Sequence, residues 1–263
     1  MSEVLARLIE LPVGPSFEFG AYRVTRSTTH LENLEIFRFR YRVFLESGFI
    51  AQNDYPSSSL TDEFDADATQ IAVRDGHGQL VGVTRFVGPS RLGFHTQTVF
   101  DLELPPIDER RIGEFGRLAV HPDHRGSGRL VMMAMLKAVF ECMIENRTTH
   151  VLAFLPTLLA DSFSKLGCKA CTLITREPSE RVLRNRESMK GYFRSQRPQP
   201  VLYDLERMID DVGVKRAAIA GRIAEVLGAD GRASAAEDVR GTPRSSRASR
   251  DGRSDQVPRI GRV

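Results

Sequence analysis

The chain has 263 residues, of which 41% are hydrophobic, enough for one ordinary buried core with smaller appendages. Its net charge of +3 is unevenly placed: residues 240–263 hold seven arginines against Asp251 and Asp255, a local +5 on a body of −2. A slightly acidic body excludes a nucleic-acid-binding core, and the basic tail suits peripheral contact with an anionic membrane surface.

No run of about 18 apolar residues occurs, and the start MSEVLARLIE has neither a basic opening nor a small-residue cleavage site, so a cytoplasmic location is expected. Cys142, Cys168 and Cys171 cannot all pair, and Cys168-Lys-Ala-Cys171 lacks the second pair a zinc site needs. A reduced compartment and no metal follow. His121 and His124 have metal-like spacing but no third ligand nearby, and are expected at a loop surface.

In chain order, residues 1–20 form an N-terminal segment and 21–210 a single α/β domain with a mixed sheet. A stripe of Leu34, Ile36, Phe37, Tyr41, Phe44 and Leu45 predicts a helix from His30 to Glu46, stopped near Gly48. Runs over 69–74 and 80–87, joined by Asp75-Gly76-His77-Gly78, predict a hairpin. Phe115 to Val120 reads as a central strand stopped by His121-Pro122. The long segment from Gly128 to Glu145 is apolar nearly all round and is expected to be a buried helix.

Its Met132, Met133, Met135 and Met143 suit core packing, or the lining of an acyl tunnel. A strand over 150–155, a short helix over 158–166, a strand over 170–175 and a last strand over 201–205 complete the domain. Residues 211–239 are expected to form a helical extension, and 240–263, poor in apolar residues, a disordered basic tail.

Between the central strand and the long helix lies His121-Pro122-Asp123-His124-Arg125-Gly126-Ser127-Gly128-Arg129. Unpaired amides at such a helix start attract an anion such as a pantetheine phosphate, and the glycines let it approach the backbone. With Val120, Pro122, Arg125 and Gly128 in place, the stretch resembles the donor-binding motif of the GNAT acyltransferase superfamily, with Leu130 at its last, usually small, position. The resemblance implies the GNAT fold and assigns donor contacts to Leu118, Ala119, Val120, Arg125, Gly126, Ser127, Gly128 and Arg129.

A second set narrows the resemblance. Arg40-Tyr41-Arg42-Val43-Phe44, Asp62-Glu63-Phe64-Asp65, Arg85 and Glu114-Phe115-Gly116-Arg117 match, in order, charged positions of the autoinducer synthase, N-acyl amino acid synthase and ornithine-lipid acyltransferase branch. The match implies acyl transfer from acyl-CoA or an acyl carrier protein to the amine of a small molecule. Arg40, Asp62, Asp65, Arg85, Glu114 and Arg117 are then expected around the cleft, Glu114 as base for the acceptor amine.

Taken one at a time, the same charges also suit a structural ion-pair network. The branch's autoinducer synthases carry a tryptophan shortly after Val-Phe, whereas this chain has no tryptophan and Ile50 near that place, which favours an N-acyl amino acid or lipid-like product over a lactone. Tyr192 is expected as an acid for the leaving thiol, and His95 on the acceptor side. The alternatives are an acetyl-CoA-dependent N-acetyltransferase and a non-catalytic acyl-CoA-sensing module.

Overall fold

The computed structural model of the chain describes residues 16–125, 128–166, 169–171, 173–205 and 207. The chain divides into two units, residues 1–216 and 217–263, and all described residues fall in the first. The expected C-terminal helix and basic tail lie outside the described residues, as does Cys168.

The sheet begins earlier than the composition suggests, with β1 (Ser16–Phe19) and β2 (Tyr22–Arg26) paired antiparallel. Helix α1 (His30–Glu46) starts at a capping box: the Thr29 hydroxyl accepts from the Glu32 amide, and the Glu32 carboxylate accepts from the Thr29 amide. It stops just before Gly48, whose φ of +69° suits only a glycine comfortably.

A 3₁₀ turn (Glu63–Ala66) leads into β3 (Ala68–Arg74), which pairs antiparallel with β4 (Leu80–Val87). The Asp75 carboxylate closes that hairpin by accepting from the His77 and Gln79 amides, both at 2.9 Å.

Next come α2 (His95–Val99), β5 (Leu102–Glu103), β6 (Ile112–Val120) and α3 (Gly128–Glu145). They are followed by β7 (His150–Leu155), α4 (Thr157–Leu166), β8 (Ala170–Cys171), β9 (Ile174–Thr175), α5 (Glu180–Glu187), α6 (Lys190–Gln196) and β10 (Gln199–Asp204). The expected strand over 170–175 is thus two short pieces with different partners, β8 on β10 and β9 on β5.

Eight of the described strands form one sheet in the order β1-β2-β3-β4-β6-β7-β10-β8, with β6 and β7 its parallel pair. This is the mixed α/β architecture that the GNAT resemblance implies. Alternation along the strands sends Ile71, Val73 and Phe86 to one face, against Val131, Ala134, Met135, Ala138 and Met143 of α3. Ala72, Val83 and Ala119 go to the other, against Ile36, Phe39, Tyr41 and Val43 of α1. Helix α3 is not buried all round: Met133 and Leu130 are about half exposed, and the fully buried Met135 and Met143 pack in the core.

The parallel pairing of β6 and β7 is short, running only from Ile112 opposite His150 to Glu114 opposite Leu152. Gly113 sits inside it because a Cβ there would lie 2.5 Å from the Phe86 ring, which is fixed in the core. Gly113→Ala is expected to cost roughly 1–3 kcal/mol by overpacking. Thermal unfolding of the variant should therefore show a Tm lower by a few degrees.

Candidate active site

Four elements deliver charge to one spot on the α1 side of the sheet. Arg40 of α1 is fully buried, and its Nη1 donates to both Asp65 oxygens, at 3.0 and 3.2 Å, while Nη2 donates to Gln70 at 2.8 Å. Asp62 and Asp65 sit on the Glu63–Ala66 turn, which they cap reciprocally: Asp62 accepts from the Phe64 amide and Asp65 from the Asp62 amide.

Arg85 of β4 pairs with both carboxylates, its Nη1 lying 2.8 Å from Asp65. Arg117 of β6 donates from Nε and Nη2 to Asp62 Oδ2, the Nε contact at 3.1 Å. Burial raises the Asp62 carboxyl pKa, but Arg117 and Arg85 outweigh it and hold it well below the usual carboxylate range. Arg40 and Arg85 do the same for Asp65.

Arg117 reaches this cluster through a bulge. Arg85 opposes Gly116 and Val83 opposes Ala119, so Thr84 faces two residues, Arg117 and Leu118. Arg117 takes a left-handed φ of +56°, which costs a side-chain-bearing residue about 1–3 kcal/mol. The Thr84 hydroxyl donates to the Gly116 carbonyl at 2.9 Å and pins the irregularity.

Glu114 departs from expectation. It is 2% exposed, and its carboxylate accepts from the amides of His95 (2.7 Å) and Thr96 (2.9 Å) and from the Thr96 hydroxyl (2.7 Å). Burial pushes its pKa up, while Arg85 and those donors pull it down. A carboxylate so occupied anchors the start of α2, and it is absent from the cavity wall described next.

Beyond Glu114, β6 and β7 part and a cavity of about 440 Å³ opens between them. Phe115, Leu118 and Val120 line one side, Phe154, Leu155 and Leu159 the other, and Phe44, Phe49 and Met189 close it. The His121 amide donates to Val81 of β4, so alternation turns the Val120 amide and carbonyl to the open side. There Arg125 Nε donates to the Val120 carbonyl at 3.3 Å, and Arg125 Nη2 donates to Ser47 at 3.0 Å.

Tyr192 forms a lid-like wall. Its ring meets Phe49 edge-on at 5.1 Å, its amide donates to the Phe49 carbonyl, and burial raises its phenol pKa. The preceding Gly191 is required, because a Cβ there would lie 2.0 Å from the Gly48 carbonyl oxygen. Helix α5 fixes this wall through Arg186, stacked between Phe100 (4.8 Å) and Phe193 (4.9 Å) and donating to the Val99 carbonyl at 2.7 Å.

Of the six charged residues expected at the cleft, Arg117 lines the cavity; Arg40, Asp62, Asp65 and Arg85 stand behind it, and Glu114 lies to one side. Of the expected donor contacts, Leu118, Val120 and Arg125 line the cavity, whereas Ala119 is buried against α1. Gly126 and Ser127 lie outside the described residues; Gly128 and Arg129 open α3. Hydrophobic residues of the wall such as Phe49, Phe154 and Met189 carried no sequence signal beyond being apolar. Among the described residues, no group of three or more His, Cys, Asp or Glu is placed to hold a metal.

The sequence model of the family described as N-acyl amino acid synthase FeeM matches residues 35–170, just over half of the chain. The chain belongs to this family. The match to the FeeM family runs from α1 through β8 and so includes the whole charged cluster and the parting of β6 from β7.

No curated protein matches the chain. Similar solved structures include the AHL synthase LasI, 16% identical with a TM-score of 0.49, over 70% of this chain and 89% of that one. The CoA-dependent acyl-homoserine lactone synthase BjaI, solved with SAM and isopentyl-CoA, is 20% identical with a TM-score of 0.47, over 70% and 83%. FeeM itself, an N-acyl amino acid synthase from uncultured soil microbes, is 10% identical with a TM-score of 0.47, over 72% and 94%.

In this FeeM-family chain the cluster behind Arg117 sets an acid limit to stability. Asp62 and Asp65 have depressed folded pKa values, so their contribution is full above the unfolded value of about 4 and is lost as pH falls below it. Asp65→Asn, which leaves Arg40 and Arg85 facing one carboxylate fewer, should cost roughly 3–5 kcal/mol at neutral pH. Denaturant melts from pH 7 to 3 should show the wild type approaching the variant as acid rises.

Proposed function

We propose that this protein transfers an acyl group from a pantetheine thioester, acyl-CoA or an acyl carrier protein, to the amine of a free amino acid. The observation that carries this reading is the apolar cavity between the parted β6 and β7, with the Arg117 guanidinium in its wall. An acyl chain and pantetheine arm suit the apolar lining, and the open-side Val120 amide suits the thioester oxygen as it gains charge.

Among the described residues, Arg117 Nη1 is buried without a hydrogen-bond partner, while Nε and Nη2 are held by Asp62. We assign that free donor to the acceptor's carboxylate, which places the neighbouring amine beside the thioester. The amine attacks the acyl carbon, the C–N bond forms, the C–S bond breaks, and the thiol leaves with a proton. Tyr192, kept protonated by burial, is the residue in the wall that can supply that proton; the amine's own proton passes to water, and a proton from water restores the phenol. The arginines of residues 240–263 support contact with an anionic membrane surface, where a lipid-like product would partition, and the reading is of a cytoplasmic enzyme.

The test is thiol release with acyl-CoA and acyl-carrier-protein donors, from acetyl to long chains, against a panel of amino acids. Turnover with an amino acid is expected, and no turnover with any pair, in protein that binds donor, would overturn the reading. Among the described residues, the cavity wall holds no carboxylate and no imidazole. The value of kcat/KM should therefore climb tenfold per pH unit until the acceptor amine's own pKa is reached. A plateau set by an enzyme group near pH 5–7 would show that a carboxylate or imidazole base acts after all.

A further inference from the structure

His95 has no part in the chemistry above, yet it is buried at 8% exposure beside Arg117, which lines the cavity. Its Nε2 lies 3.4 Å from Arg117 Nη2. The guanidinium nitrogen has only N–H donors, so the imidazole nitrogen facing it must offer a lone pair, and the ring proton must sit on Nδ1. The ring is wedged between Phe64 at 5.8 Å and Phe154 at 5.4 Å, and its backbone amide is held by Glu114, so it cannot turn away.

Arg117 Nη2 thus meets two acceptors, Asp62 Oδ2 and His95 Nε2, on different elements. Together with the Nε contact to Asp62, they leave Nη1 as the fork's unpartnered nitrogen. We infer that His95 is a positioning residue: held neutral with its proton on Nδ1, it fixes the Arg117 fork so that Nη1 stays available to the acceptor's carboxylate. The inference rests on the acceptor site proposed above. Burial and the neighbouring Arg117 both disfavour the imidazolium, which agrees with this tautomer.

Two variants separate this role from packing. His95→Phe keeps an aromatic ring between Phe64 and Phe154 but has no lone pair, whereas His95→Gln keeps an acceptor and loses the ring. We expect His95→Phe to raise the acceptor KM, lowering kcat/KM by about 10–100-fold with the donor KM unchanged, because the misplaced arginine loses its alignment. His95→Gln should retain the larger part of the activity while melting at a lower temperature.

The reverse order, Phe active and Gln impaired, would make His95 a packing residue and overturn the inference, as would equal loss in both. Nitrogen NMR of the wild type gives an answer independent of any variant's folding: a neutral ring protonated on Nδ1 is expected, and a proton on Nε2 overturns the inference. Arg117→Gln is the control for the site itself. If it leaves the acceptor KM unchanged while the wild type turns over, the carboxylate assignment fails, and His95 has nothing to position there. If the wild type acylates no amino acid, the amino-acid acceptor reading fails, while the tautomer still reports on the Arg117 contact.

Discussion

The guanidinium of Arg117 meets Asp62 only because β6 carries one extra residue. Glu114 and Arg117 are three apart, and on a regular strand an odd spacing sends two side chains to opposite faces. With Thr84 facing both Arg117 and Leu118, the alternation slips by one, and both charges end on the α1 side. The left-handed backbone of Arg117 is the local cost of that slip, about 1–3 kcal/mol, and two charge-assisted hydrogen bonds to Asp62 Oδ2 offset it.

The cluster behind Arg117 is not explained by stability. Replacing a buried ion pair by well-packed apolar groups is commonly neutral or favourable by about 1–4 kcal/mol, so burying Arg40, Arg85, Asp62 and Asp65 gains little over a hydrophobic filling. Such a filling cannot aim a guanidinium. Arg40 and Gln70 fix Asp65, Asp65 and Asp62 cap their own turn, and the turn presents Asp62 to Arg117. Each contact is spent on the orientation of the next, ending at Arg117 in the cavity wall.

Much of this was legible in the sequence. The Thr29–Glu32 capping box, the 3.6-residue stripe of α1 and the Asp75–Gly78 turn have local causes, and the corresponding elements stand where the pattern put them. The donor strand and long helix were legible for the same reason. What was not legible arises from tertiary context. A bulge depends on the partner strand, so Glu-x-x-Arg gave no hint that its two charges share a face. Glu114 was expected as a base from the family resemblance; its acceptance of the α2 amides, which lie 18 and 19 residues away in sequence, was not legible. Helices α5 and α6 were not predicted from the sequence; Arg186, stacked on rings of which Phe100 is distant in sequence, holds them.

Glu114 then links the two halves of the cavity. Its carboxylate fixes the start of α2, which carries His95 towards Arg117 on one side. On the other, the carbonyls of Thr98 and Val99 in α2 accept from Asn185 and Arg186, the residues that seat α5 and, with it, α6 and Tyr192. One buried carboxylate thus sets the distance between Arg117 and the Tyr192 phenol. On the proposed reaction, losing it would disturb acceptor binding and leaving-group departure together. A base and an anchor at this position would both be costly to remove, so the activity of a Glu114 variant alone does not distinguish them. The form of the pH profile does, because an anchor leaves the protonation steps unchanged while a base takes its own step away.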